Sequence, residues 1–566
     1  MKNGFEIKRV IKYSSIFDDE KRSLDYYLTG IKRSVLIRAT TYFLGFSIDN
    51  SKYDKIKNFL EFFFCKENSS LANKIYDKLV ESGQIIINTL TALQLFEYSF
   101  DHLNEEETQE KKQAEVNVFK AILFQNEKNL DAQNNAFSST EQVNDEIKFA
   151  ATALTQSFGY SDLINFNKHE IFVAQLIKSI YLFEFLASHP KTQDLLNEYL
   201  STFKCQDWKE YLKRILPVAM PYIQNDKEES NDIVFLQDSD CEFIENLAIR
   251  DDDVVKDFDF RKIRSKPLYN IEDKKYRLIY GLFAIELLHK GVFFKLSEIN
   301  KNLDKNKKVK GDFRGFYCDE FSEKYLLYNI IEHIYRNKYF KLNGAQIKKQ
   351  IKDAEPDYYI RNGNNIFLIE SKDVLFSAEV KHSYDYSIYE SMLKEKFYYD
   401  ENNNKAVLQL ITNIKRLLKN QFPVDKKYKP QTIKIYPILI LHNSQQNISG
   451  LNVLINYWFK NELTELERNG IDTKRVKPIA IIDIDSLIFH QDAFRNRKIK
   501  LEKVLDDYFK YITFDKKKNY KDKNHFNDHV KRTIVPFSIF LTNYLSERGL
   551  WFLPRMLKEK GFSIFN

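Results

Sequence analysis

Apolar residues recur at helical spacing through the first 225 residues. YDKIKNFLEFFF (53–64) and HEIFVAQLIKSIYLFEFLA (169–187) are two such segments, and the period predicts a helical region over 1–225. A Glu-, Gln- and Asn-rich stretch from about 101 to 147 encloses AEVNVFKAILF, the pattern of an exposed helical hairpin or a partly mobile connection. At about 225 the pattern breaks. DKEESNDIVFLQDSD (226–240) and DDDVVKDFDF (251–260) are acidic, and basic RKIRSK (261–266) follows at once. YRLIYGLFAIELLHKGVFF (276–294) reads as helix again, and NKNLDKNKKVKGD (300–312) as a basic loop. Residues 226–312 are therefore expected to form a connecting region with a helix.

From 313 the period changes type. A helix, FSEKYLLYNIIEHIY (321–335), precedes two strand-like runs, PDYYI (356–360) and IFLIES (366–371). A helix KAVLQLITNIKRLLK (405–419) and two apolar strands, IKIYPILIL (433–441) and PIAIIDID (478–485), complete the order. That order predicts a small α/β domain with a mixed sheet over 313–495, followed by a Lys-rich helical extension over 496–566. The chain of 566 residues is too long for one core, and its scarce Gly and Pro favour long helices. The fold class expected is multidomain: a mainly α-helical N-terminal region, then an α/β domain.

Charge and cysteine content narrow the classes. A net charge of +7 permits a nucleic-acid partner without demanding one. Cys65, Cys205, Cys241 and Cys318 are scattered and form no CxxC pair, as in a reducing cytosol, and a disulfide framework or structural zinc site is not expected. MKNGFEIKRVIKYSS lacks the apolar core of a secretory signal, and the apolar run from Ser34 to Ile48 is interrupted by Arg38 and too short to span a bilayer. The expectation is a cytoplasmic protein with no membrane role. There is no phosphate loop of the GxxxxGK[ST] type, no GxGxxG after a strand and no GxSxG elbow.

The chemistry concentrates in PDYYIRNGNNIFLIESK (356–372). Glu370 and Lys372 are two apart on a strand, so they share a face, while Ser371 points the other way. Asn362 and Gly363 supply the positive-φ capacity of a tight turn. If Arg361 pairs with Ile366, counting sets Asp357 opposite Glu370, with Cβ atoms roughly 5 Å apart. One divalent ion could bridge those carboxylates, with Lys372 beside them to steer or deprotonate water and offset phosphate charge. Glu379 and Lys381 repeat the Glu-x-Lys spacing behind a shorter, less strand-like run, VLFSA.

On Pro356, Asp357, Glu370, Ser371 and Lys372, residues 316 to about 485 resemble the PD-(D/E)xK nuclease superfamily, the restriction-endonuclease-like fold. The resemblance covers roughly a third of the chain. It implies Mg²⁺ or Mn²⁺ dependence, cleavage of a nucleic-acid backbone, and metal binding by Asp357, Glu370 and the Ser371 carbonyl. It also implies a Glu from an upstream helix. Glu320, Glu323, Leu327, Ile330, Ile331 and Ile334 share one face of that helix, and a carboxylate on an apolar face needs a reason. Glu323 is favoured, with Glu320 its rival. Lys405 and Gln409 resemble the polar positions that the superfamily often carries on the helix after the motif, where they meet nucleic acid. DNA is favoured over RNA by the superfamily's habits. A large helical part joined to such a nuclease looks like a prokaryotic antiviral defence protein, by analogy.

Plainer readings stand beside these. Asp357, Glu370 and Lys372 could be surface cross-strand partners, and Glu320 and Glu323 helix N-terminal acids. Lys405, Gln409, Thr412 and Arg416 could form a solvated stripe. His525 and His529, spaced i, i+4, lack a third zinc ligand. The function expected is a metal-dependent DNA endonuclease whose helical N-terminal region recognises a target, a protein partner or a second copy. The alternatives are a catalytically silent interaction scaffold and an RNA-cleaving toxin.

Overall fold

The computed structural model describes residues 9–47, 53–102, 104–224, 232–235, 237–336, 339–351, 355–401, 403–496, 498–514 and 520–565. The chain divides into two compact units. One joins Glu6–Asn135 to Thr202–Gly291, and the other joins Ala136–Ser201 to Val292–Asn566. Both are rich in helix, and each holds a sheet. These divisions do not follow the sequence boundaries at 225, 312 and 495.

The first of these units holds the helices Arg33–Ser47, Tyr53–Phe63, Ser69–Ser82 and Thr89–Asp101, and most of Lys111–Ser138. The polar stretch after 101 is neither a hairpin nor a loose connection. Lys111–Ser138 is one continuous helix whose Phe119, Ile122 and Leu123 are buried. Its Asn126 donates to the carbonyls of Ile11 at 3.1 Å and Ile86 at 2.7 Å, so polar side chains here tie segments together. The region 226–312 is also more than a connection. Strands β1 (Asp232–Val234), β2 (Ala248–Ile249), β3 (Leu268–Glu272) and β4 (Lys275–Leu278) form a sheet in the order β1-β4-β3-β2. The start of YRLIY is therefore strand, where burial alternates along β4, and helix begins only at Gly281. The acidic and basic runs answer each other. Asp257 accepts from the amides of Arg261 at 2.7 Å and Lys262 at 2.8 Å, and Asp253 pairs with Lys262 at 2.9 Å.

The second unit carries the candidate chemistry. Its sheet contains β5 (Phe340–Asn343), β6 (Tyr358–Asn362) and β7 (Asn365–Lys372). After a small ribbon of β8 (Tyr399–Asp400) and β9 (Asn403–Asn404) come β10 (Lys434–Leu441) and β11 (Ala480–Asp483). The main order is β11-β10-β7-β6-β5, with β7, β10 and β11 parallel and β5, β6 and β7 antiparallel. The sequence located four of these five strands. β5 it missed, and PIAIIDID yields a strand only to Asp483, because the Asp483 side chain accepts from the Asp485 amide and caps the helix Ile484–Arg495.

Both faces of β7 are covered, so it reads as an unbroken apolar run. On one face Ile366 and Leu368 join Leu439 and Leu441 in a core with Val407, Leu410 and Ile414 of the helix Ala406–Leu418. On the other, Ile369, Ile438, Ile440 and Ile482 line a small apolar pocket with Ile331, Ile334 and Leu487. Fully burying one such side chain contributes roughly 1.5–3 kcal/mol. The helix Lys168–Ser188 is buried on nearly every side. Among the described residues it is the one helix long and apolar enough to cross a membrane, at a mean hydropathy of 1.5, but 78% of that apolar window is buried inside the fold. Its Lys178 pairs with Asp485 at 2.9 Å, inside the unit that joins 136–201 to the C-terminal half. The helices beyond 496 belong to the same unit. Tyr508 donates to the Val535 carbonyl at 2.9 Å and accepts from Asn452 at 3.3 Å.

Candidate active site

The site grows from the β6–β7 hairpin. Arg361 pairs with Ile366 and Tyr358 with Ile369. Continuing that register by one residue sets Asp357 opposite Glu370, at the C-terminal end of parallel strand β7. In open α/β sheets ligands gather at such strand ends. Of the two turn residues expected to take positive φ, only Gly363 does, at 60°. Asn362 instead pairs with Asn365 as the last rung of the ladder.

Asp357 Oδ2 accepts the Ser371 amide at 2.7 Å. A β backbone sends the N–H and C=O of one residue toward the same neighbour, so the Ser371 carbonyl also opens to the Asp357 side. Glu370 is fully buried. Its Oε2 takes Lys372 Nζ at 3.4 Å, and its Oε1 makes no hydrogen bond. A buried carboxylate with an idle oxygen is costly unless a cation or proton meets it. Burial, and then the neighbouring Asp357 charge, push the Glu370 carboxyl well above the usual range. Burial also raises Asp357, against the opposing pull of Lys372. For Lys372 burial works downward, but the Glu370 and Asp357 carboxylates outweigh it and hold the amine above its ordinary value, as an ammonium.

A third acid arrives from a separate segment. FSEKYLLYNIIEHIY is not one α-helix. Tyr317–Leu327 forms a π-helix, and Tyr328–Ile334 continues as α. The Tyr328 amide reaches the Glu323 carbonyl five residues back. Such wide turns are rare and frequent at functional sites. They also break the face expected on an α-helical wheel, and so separate Glu320 from Glu323. Glu320 turns outward to Lys324 at 2.9 Å, whereas Glu323 accepts from Tyr328 Oη at 3.1 Å. Burial, then the charge of Asp357, raises Glu323 to about 7. Gly344 leaves room for this arrangement. Its amide donates to the Asp357 carbonyl at 2.8 Å, and a Cβ there would stand 3.0 Å from Tyr328 Oη.

The second Glu-x-Lys does not assemble as a pair. Glu379 and Lys381 lie on a short helix, Ala378–Lys381, where two-residue spacing sends side chains apart. Glu379 is exposed, while Lys381 is buried 3.8 Å from Asp162. Lys405 pairs with Asp400 at 3.1 Å, and Gln409 has a buried Oε1 with no hydrogen bond. His525 and His529 meet the Tyr520 ring edge-on in an aromatic cluster.

Sequence reasoning missed two neighbours of the motif. Asp373, one residue past Lys372, bonds Arg314 and Ser322. His442, one residue past β10, sets Nε2 at 2.7 Å from Ser371 Oγ, and burial lowers its imidazole to about 4. The polar step ESKD after an apolar strand was the available signal for Asp373. For His442 there was none, because its proximity depends on the parallel β7–β10 pairing.

Among the described residues no three His, Cys, Asp or Glu side chains converge as a ready metal-holding group. The donors for a two-carboxylate site are nonetheless adjacent: Asp357, Glu370 with its idle oxygen, and the Ser371 carbonyl, with Glu323 close enough to be felt electrostatically. That chemistry suits a hard divalent cation, which prefers oxygen ligands. Compared with models of known protein families, with curated proteins and with solved structures, the chain matches none.

Proposed function

We propose that the chain is a divalent-metal-dependent nuclease hydrolysing phosphodiester bonds, with a restriction-endonuclease-like domain within residues 313–495. The observation that carries this reading is the register that faces Asp357 with Glu370, beside Lys372, at the end of β7. Asp357, Glu370 and the Ser371 carbonyl would hold Mg²⁺ or Mn²⁺, and Glu323 would add charge directly or through water. A bound cation of this kind supplies Lewis-acid polarisation of the phosphate and of an attacking water. Lys372, kept as an ammonium, acts as a hydrogen-bond donor and a counter-charge to the phosphate. Asp357 is aimed by the Ser371 amide, and Glu323 by Tyr328 Oη. DNA is the favoured substrate through the resemblance, and Lys405 and Gln409 are the proposed contacts.

A second reading, a silent interaction scaffold, draws on the closure of Glu370 under Lys372 and on the absence of a converged metal group among the described residues. The test is a cleavage assay of the wild type and Lys372→Ala on plasmid, linear and single-stranded DNA and on RNA, in Mg²⁺, Mn²⁺ or EDTA. Metal-dependent cleavage lost in the variant supports the nuclease, and the substrate panel separates DNA from RNA. Equal cleavage by both proteins overturns the residue assignment. Absence of cleavage, with no Mn²⁺ binding by calorimetry, favours the scaffold.

A further inference from the structure

Asp373 follows the candidate lysine directly and is held from one segment by several bonds. Arg314 Nη2 donates to its carbonyl oxygen at 2.7 Å and to its Oδ1 at 2.6 Å. Ser322 Oγ donates to Oδ2 at 2.6 Å, and Cys318 Sγ lies 3.3 Å from the same carbonyl oxygen. Arg314, Cys318 and Ser322 all stand on 313–327, the segment that carries Glu323. The Arg314 guanidinium is itself seated 4.9 Å over the Phe293 ring and 5.8 Å from that of Tyr317. None of these bonds involves Asp357, Glu370 or Glu323. Ser322, however, is the neighbour of Glu323 in the chain, so its bond to Asp373 sets where the Glu323 backbone sits relative to the end of β7.

We infer that Asp373 is a positioning residue that clamps the Glu323-bearing helix onto the end of β7 and so holds the third carboxyl against the Asp357–Glu370 pair. The inference rests on the metal-site reading above. A purely structural ion pair makes a different prediction. Its loss would loosen the fold without coupling to Glu323. A clamp acts through Glu323, so once Glu323 is neutral, removing Asp373 costs nothing further. Partners outside the ligand set commonly change metal affinity by about 10–100-fold.

The test uses the full-length chain with Asp373→Asn, Glu323→Gln and the double variant. Mn²⁺ affinity is read by calorimetry, and amide exchange of 313–327 is read on metal-free protein. Each single variant is expected to weaken Mn²⁺ about tenfold, with the double no weaker than either. Exchange over 313–327 should rise in Asp373→Asn while β10 and β11 stay protected. Wild-type affinity in Asp373→Asn, or losses that multiply to about a hundredfold in the double, overturns the clamp. If Asp373→Asn does not fold, Ser322→Ala decides by the same criterion against Glu323→Gln, since it removes one bond and leaves the Arg314 pair. A wild type that binds Mn²⁺ but cuts no nucleic acid defeats the nuclease reading alone, and the clamp is still judged on the affinities. A wild type that binds no Mn²⁺ overturns the clamp as well.

Discussion

The Ser371 amide donates to Asp357 Oδ2 at 2.7 Å, so the acid that precedes β6 is oriented by the backbone of β7. An Asn at 357 can keep that bond through its side-chain oxygen while losing the charge. Asp357→Asn should therefore fold like the wild type, with an unchanged or higher melting temperature because like-charge repulsion on Glu370 is relieved. Its metal-dependent cleavage should fall at least about a hundredfold. Thermal melting and the plasmid assay on one preparation check both halves, and a variant that cuts at the wild-type rate removes Asp357 from the site.

Tyr328 Oη favours the charged form of Glu323 by donating to it. Tyr328→Phe deletes that donor and keeps the ring. The Glu323 carboxyl, already raised to about 7 by burial and by Asp357, should titrate higher still in metal-free protein. Carboxyl ¹³C shifts followed against pH measure it, and a downward move would contradict the bond.

Glu97, in the other unit, is buried near Asp257, Asp101 and Lys256, and its Oε1 faces the Asp257 amide at 3.5 Å. Burial raises its carboxyl to about 9. The native state then holds a proton that the unfolded chain releases near its ordinary value of 4.5. Stability from this group is complete below that value and is lost as pH rises toward about 9. Glu97→Gln should flatten the fall in stability between those limits and raise the denaturation midpoint at pH 8. An unchanged pH profile would show that Glu97 is ionised in the native state.

Lys178 and Asp485 form a buried pair at 2.9 Å, and Lys178 also donates to the His442 carbonyl at 3.0 Å. Lys178→Met leaves Asp485 buried without its charge partner, a loss on the order of 3–5 kcal/mol in urea denaturation. Adding Asp485→Leu should recover most of it. A double variant no more stable than Lys178→Met would mean that the pair is not the source of the loss.

The strands around the candidate acids were legible because β6, β7 and β10 are apolar runs bounded by polar turns, whereas their order in the sheet was not. The Arg361–Ile366 register followed from a single turn. The features that stayed hidden share one cause, dependence on distant partners. β5 is a short edge strand of mixed polarity, FKLN, stated only by its pairing with β6. The sheet within 232–278 hides among charges whose partners are distant in the chain, as in the 2.7 Å pair of Arg277 with Asp232, 45 residues apart. Helix 168–188 carried no mark of its unit, since an all-round apolar helix states only that something must cover it. The choice between Glu320 and Glu323 was closed to a helical wheel, which presumes 3.6 residues per turn.

The π-helical stretch also limits which lengths of chain this site can accept. Between Phe313 and Ile334 the helix holds more residues than an α-helix of the same span, and the Arg314 and Ser322 contacts to Asp373 count on that surplus. Deleting a single residue between 317 and 327 with the winding otherwise kept would leave the helix continuous on both sides of the cut, with no loop to absorb the loss. Everything before the cut would then swing by about 100° around the helix axis relative to the residues after it. Arg314 would leave Asp373 although every named side chain was still present. Substitutions here can be graded by chemistry, but the segment tolerates no change of count.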